Sequence, residues 1–147
     1  MTETADGLPA GLRLTLETEP PAGFQEGLGK AILAFMAGTV PDGGLRRVAL
    51  MLHDADGALV AGLSGSMYWG WLFVAALWVA DDRRGQGMGR TLLARAEAHA
   101  AAEGCHSVWL DTFQARGFYE RLGYEVFGTL DAYPGTQARS FLRKRIA

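Results

Sequence analysis

Cysteine is almost missing from this chain. Its 147 residues include one, Cys105, so no internal disulfide can form. The stretch around it, Glu103 to Trp109, reads as a helix end entering a strand, which makes Cys105 a small core residue rather than a nucleophile. The three histidines, His53, His99 and His106, do not stand at metal-ligand spacing, and without a second cysteine no metal site is expected. No apolar run reaches the roughly 20 residues that cross a bilayer. The segment Met1 to Pro9 lacks the charge-then-apolar order of a signal peptide, so neither membrane insertion nor export is expected, and the cytoplasm is the expected location. Charge of one sign is also scarce. With 20% charged residues and a net charge of −2, the chain has no basic surplus with which to hold a polyanion, and nucleic acid is not an expected partner.

Apolar residues are plentiful, at 49%. A chain of this length buries roughly two-thirds of its unfolded surface in one core, and no internal repeat or low-complexity linker divides it, so residues 1–147 are expected to form a single domain. Leu12 to Glu17 alternates apolar and polar side chains, the pattern of a half-buried strand. Phe24 to Ala37 carries Phe24, Leu28, Ile32, Phe35 and Met36 at helical spacing, with Gly38 as a stop. Val48 to Leu52 and Ala58 to Tyr68 flank Asp54-Ala55-Asp56-Gly57 and predict an antiparallel hairpin. Trp71 to Val79 is an almost unbroken apolar run, which predicts a central strand buried on both faces. Helices over Arg90–Glu103 and Ala115–Leu122 alternate with strands at Ser107–Leu110, Tyr124–Leu130 and Arg139–Arg145. This order implies an α/β fold with one mixed, partly antiparallel central sheet flanked by helices.

Between the central strand and the helix beginning at Arg90 the chain changes character, to Ala80-Asp81-Asp82-Arg83-Arg84-Gly85-Gln86-Gly87-Met88-Gly89. A strand that passes through a glycine-rich turn into a helix directs several free backbone N–H groups and the positive end of the helix dipole at one point. Such a point binds an anion. Gly85, Gly87 and Gly89 clear side chains from the approach of a pyrophosphate, while Arg84 and Arg90 can add charge-assisted hydrogen bonds. A nucleoside-triphosphate P-loop would need lysine followed by Ser or Thr after the last glycine, where Arg90-Thr91 stands. A dinucleotide fingerprint from Gly85 would need a small residue at position 90, although Asp111 does follow the next strand at a suitable distance.

A third pattern, Q/R-x-x-G-x-G/A, is filled at every required position by Arg84-Gly85-Gln86-Gly87-Met88-Gly89. It is the acetyl-CoA pyrophosphate motif of the GNAT N-acetyltransferases, and a second block, Ala115-Arg116-Gly117-Phe118-Tyr119-Glu120-Arg121-Leu122-Gly123-Tyr124, resembles that family's A-x-x-F-Y-x-x-x-G-F/Y segment. The likeness in sequence extends from Trp71 to the end of the chain; the first half resembles the family in element order alone.

The resemblance implies a single GNAT-like domain that moves an acetyl group from acetyl-CoA to a primary amine, without a metal or covalent enzyme intermediate. It implies that the central strand parts from its neighbour near Leu77, Trp78 and Val79, whose backbone grips the pantetheine arm. It implies a coenzyme site comprising Arg84, Gly85, Gln86, Gly87, Met88, Gly89, Arg90, Gln114 and Phe118. Tyr119 would be the general acid that protonates the departing thiolate, with a core aromatic as its alternative role. Trp69, Trp71 and Tyr133 would line the acceptor side, with Trp71 open also to a core role. Two departures stand out. Ala75-Ala76 occupies the part of the strand where many relatives carry a carboxylate, which leaves no assigned general base, Asp111 and Asp131 being candidates by position. Thr112 stands where asparagine is frequent, and Gln114 could replace its contact. The basic run Arg139 to Arg145 is read as a solvated strand face, with the coenzyme 3′-phosphate as a second use. A small-molecule amine is the expected acceptor, and a homodimer is compatible with the resemblance. The alternative function is a non-catalytic domain that holds acyl-CoA as a sensor or structural ligand; a nicotinamide-dependent oxidoreductase is disfavoured by Arg90.

Overall fold

The computed structural model describes residues 7–147 and divides the chain into two compact units, one ending at Pro41 and the other running Asp42–Ala147. In the first unit helix α1 spans Phe24–Met36. It ends as expected at Gly38, which adopts φ 88°, while the Thr39 hydroxyl donates to the Met36 carbonyl at 2.8 Å. Leu12 to Glu17 does not form the strand its alternation predicts, and Leu14 alone makes a bridge. Alternation supplies a face, but a strand also needs a partner ladder, and no named strand lies in this unit among the described residues.

The second unit contains the whole sheet. Strands β1 (Arg46–His53), β2 (Leu59–Tyr68) and β3 (Trp71–Val79) form an antiparallel meander. After a short 3₁₀ turn at Asp81–Arg83 come α2 (Met88–Ala102), β4 (Ser107–Thr112), α3 (Arg116–Arg121), β5 (Glu125–Leu130) and β6 (Arg139–Arg145). The six strands lie in the order β1-β2-β3-β4-β6-β5, with β3–β4 the parallel pair. The expected α/β class with a mixed, partly antiparallel sheet is the one found, and most of its pairs are antiparallel. Asp54 caps the β1–β2 turn through its carboxylate, which accepts from the N–H groups of Asp56 and Ala58 at 2.9 Å.

Helix α2 buries Leu92, Leu93, Ala96 and Ala100, the stripe legible from its spacing, against Leu63, Leu72, Val74 and Val108. Cys105 is buried within the same core. The tie between α2 and the far strands is polar: the Tyr124 hydroxyl donates to Glu97 at 2.7 Å, and Lys144 donates to the same carboxylate at 2.8 Å. Arg46 pairs with Glu103 and so fastens the start of β1 to the end of α2.

Strand β3 departs from its prediction. Leu72 and Val74 are buried, but Ala75 and Ala76 are exposed, so the apolar run does not mark burial on both faces. The cause is visible in the ladders. Pairing with β4 covers Trp71, Phe73 and the residue between them, and then stops. At that point β3 bulges on its other side, since Ser64 pairs with Ala76 while Gly65 pairs with Val74, leaving Ala75 over. Gly65 permits the bulge, because a Cβ there would lie 2.4 Å from the Phe73 carbonyl oxygen, closer than any neighbour can yield cheaply.

The basic run of β6 is a solvated face only in part, since Arg143 and Arg145 are exposed whereas Arg139 and Lys144 are partly buried. Arg139 pairs with Asp111, Arg143 with Glu125 and Lys144 with Glu97. Acidic partners on three separate elements, invisible to a local reading of the strand, pair with three of these charges.

Two outcomes follow from this packing. Gly65→Ala should cost about 1–3 kcal/mol through overpacking at the bulge, read as a lower midpoint in thermal or urea denaturation. Burial, and then the hydrogen bond to Glu97, push the Tyr124 phenol up from its ordinary value. The folded state therefore keeps a proton that the unfolded chain loses above about pH 10. The stability this confers is complete below that pH and lost above it, so the thermal midpoint should fall more steeply between about pH 9 and about pH 11 in the parent protein than in Tyr124→Phe.

Candidate functional site

Where β3 and β4 part, a cleft of about 460 Å³ opens in the second unit. One wall is the end of β3, with Leu77, Trp78 and Val79; the other includes Gln114, Ala115, Phe118 and Tyr119 at the start of and along α3. Its floor is the turn and the first residues of α2. The parting begins just after Phe73, earlier than the Leu77–Val79 segment named from the sequence, and leaves the β3 backbone without a β4 ladder partner from Val74 onward. Of these residues Leu77, Trp78 and Val79 line the cleft, and their backbone on the β4 side is available for hydrogen bonding there.

The turn has the geometry that its glycines require. Gly85 and Gly87 take φ 77° and 81°, a region that side chains rarely enter, and Gly87 is the residue from which α2 starts. No side chain caps α2, and its first backbone N–H groups have no helical carbonyl to donate to, so they point with the helix dipole at the cleft. Gly89 serves by proximity rather than by φ: a Cβ there would contact Phe118 at 3.5 Å and Val79 at 3.7 Å. Arg84, Gly85, Gly87, Met88, Gly89 and Arg90 all line the cleft, whereas Gln86 does not. Arg84 is partly engaged within the turn, donating to the Val79 carbonyl at 3.2 Å and pairing with Asp81 at 2.9 Å. Arg83, adjacent to the motif but not singled out from sequence, joins the lining.

Tyr119 is 7% exposed and belongs at once to the core and to the cleft wall, so the two roles considered for it are compatible. Its ring meets Phe118 and Tyr124 edge-on, at 5.0 and 5.7 Å between centroids. Its hydroxyl has no protein hydrogen-bond partner among the described residues. Burial, and secondarily the Asp111 carboxylate, raise its pKa, so the phenol holds its proton throughout the neutral range. Thr112, the departure from the family pattern, is used locally: its hydroxyl accepts from the Ala115 N–H at 3.1 Å and closes the turn that leads into α3, while Gln114 faces the cleft.

The expected acceptor residues separate. Tyr133 lies in the β5–β6 loop, at the end of the sheet where β4 finishes, with its ring 4.3 Å from the Arg139 guanidinium. Arg139 in turn donates to Asp111 at 2.6 Å. Asp131 is exposed in the same loop. Trp71 is at the other end of β3, two residues before the parting, against His106. Trp69 sits still farther out, in the β2–β3 turn, with its ring 3.9 Å from that of Tyr68 and away from the cleft lining. Asp111, Tyr133 and Arg139 were each legible as candidates, but their pairing escaped a sequence reading because they come from β4, a loop and β6.

Known proteins share this arrangement. The model of the acetyltransferase (GNAT) family matches residues 42–124. Blasticidin-S acetyltransferase of Streptomyces morookaense is 47% identical over 81 residues, 53% of this chain and 60% of that protein, so the match spans less than two-thirds of its length. Acetyltransferase Atu2258 of Agrobacterium fabrum is 35% identical over 102 residues, 68% of this chain and 74% of the relative. A crystal structure of an acetyltransferase from Bacillus cereus superposes with a TM-score of 0.80 at 28% identity, covering 90% of this chain and 97% of the other. A parted β3–β4 pair, an anion-seeking turn at the head of α2 and a family model spanning both define the lineage: the chain belongs to the GNAT acetyltransferase family.

Proposed function

We propose that this protein transfers an acetyl group from acetyl-CoA to a primary amine, most simply that of a small molecule, by direct attack. The observation that carries this reading is the convergence, on one cleft, of unpaired β3 backbone, the α2 N-terminus and the unpartnered Tyr119 hydroxyl. Acetyl-CoA, the family's coenzyme, would supply the activated thioester. The residues present suit it: glycine at 85, 87 and 89 leaves room for a pyrophosphate, and the α2 N–H groups with Arg90 supply donors for it.

In this reading the β3 peptides beyond Phe73 hold the pantetheine arm as a neighbouring strand would, through backbone donors and acceptors. Amine attack forms the C–N bond as the C–S bond breaks, and Tyr119 gives its proton to the sulfur. The amine must be neutral when it attacks, and Ala75 and Ala76 offer no base, so its proton leaves by water or by a group at the mouth of the cleft. A domain that binds acyl-CoA without turnover is favoured by the same two alanines; tight coenzyme binding with no product from any amine would select it.

Calorimetric titration with acetyl-CoA should give micromolar binding that Gly87→Glu abolishes, because a carboxylate at that position fills the turn with the wrong charge; an intact protein that does not bind would refute the coenzyme site. Tyr119→Phe should lower kcat by about 10²-fold while leaving acetyl-CoA affinity unchanged. In the parent enzyme, the Tyr119-dependent loss of kcat should appear only at alkaline pH, beyond the ordinary tyrosine value of about 10, as the raised phenol finally ionises, separate from the fall at lower pH that follows protonation of the amine. Undiminished turnover by Tyr119→Phe would remove the general-acid role.

A further inference from the structure

We propose that the acceptor carries a flat aromatic or heteroaromatic ring, and that this ring is held in a second recess on the sheet face opposite α2. The inference rests on the acetyltransferase reading and names the substrate class for it. The recess has a volume of about 480 Å³ and is lined by Trp71, Trp109, Phe127, Phe141 and Arg143. That size lies within the range of small-molecule sites.

Strand alternation decides the face. Leu72, Val108 and Leu142 point into the core beneath α2, so their neighbours Trp71, Phe73, Trp109, Phe141 and Arg143 point the other way. The ladders then bring these residues together. Phe73 pairs with Trp109 and their rings stack at 4.2 Å, and Trp109 pairs with Arg143. Phe141 meets Phe127 edge-on at 6.3 Å, and the Arg143 guanidinium lies 5.4 Å from the Phe127 ring.

Position ties the recess to the chemistry. Phe73 and Trp109 are the last paired residues before β3 and β4 separate, so the stacked rings stand where the two strands begin to diverge. Trp71 is two residues away, about 7 Å along the strand. Leu77, where the cleft wall begins, is four residues beyond Phe73, about 13 Å along the strand, so the acceptor would need an extended arm between its ring and its amine. Flat walls select a flat occupant, because aromatic faces gain from stacked and edge-on contacts beyond the area they bury. Arg143 adds preference for an electron-rich ring through cation–π attraction, and its pairing with the 69% exposed Glu125 is weak enough to yield.

Two amines that differ in ring planarity test this: 2-phenylethylamine and 2-cyclohexylethylamine, each titrated calorimetrically into protein saturated with CoA. The aromatic amine should bind about fivefold more tightly. Trp71→Leu and Phe127→Leu should each reduce that ratio towards one with CoA affinity unchanged; Phe127 is half-exposed, so its variant should fold even if the other does not. Equal affinities, a ratio unaltered by both variants, or binding of neither amine would overturn the proposal. A CoA titration of the parent protein, with the amine titrations repeated in the absence of CoA, separates the two readings: absence of CoA binding removes the acetyltransferase reading, while the ring preference without CoA still decides the recess.

Discussion

The structure turns on a parallel pairing that stops after three residues. Adjacent parallel strands ordinarily continue their ladder, since each unpaired peptide group left away from water is costly. Here β3 leaves β4 beyond Phe73, and the departure is fixed from the other side, where Ala75 is the extra residue of a bulge against β2. Gly65 makes that bulge possible by lacking a side chain at the point where the Phe73 carbonyl approaches. A residue outside the cleft thus sets the angle at which the cleft opens.

The parting also gives the two sheet faces different work. On the α2 side, the core of Leu72, Val74, Val108 and Leu142 holds the helix so that its first turn meets the end of β3. The turn can then present backbone N–H groups and a positive dipole end to an anion without recruiting a buried lysine. On the opposite side the same strands present rings, with Phe73 stacked on Trp109 at the last pair before the strands part. The separation is a direct product of period-two alternation.

Much of this could be read from sequence because its signals are local. Gly85, Gly87 and Gly89 announce a turn that only glycine can make or leave open, and Phe118-Tyr119 falls on a short helix at fixed distance from it. Strands Trp71–Val79 and Arg139–Arg145 have the predicted bounds. What was misread depends on partners distant in the chain. An apolar run at Ala75-Ala76 looks the same whether its neighbour stays or leaves, and the charges of Arg139 and Lys144 look solvated until Asp111 and Glu97 arrive from other elements. Trp69 and Trp71 adjoin in sequence but have different surroundings, because the turn at Trp69 adopts φ 48° and takes its ring towards Tyr68.

The missing strand carboxylate acquires a physical sense in this setting. Ala75 and Ala76 sit where the backbone must bulge and turn away, and small side chains leave both faces of the parted segment accessible. Acidic charge is supplied instead from β4, by Asp111, which is joined to Arg139 under the Tyr133 ring. That carboxylate acts on the cleft at a distance, adding to burial in keeping the Tyr119 phenol protonated. In the proposed reaction the protein therefore invests its electrostatics in the acid that meets the leaving sulfur, while the amine arrives from the opposite face and gives up its proton towards solvent.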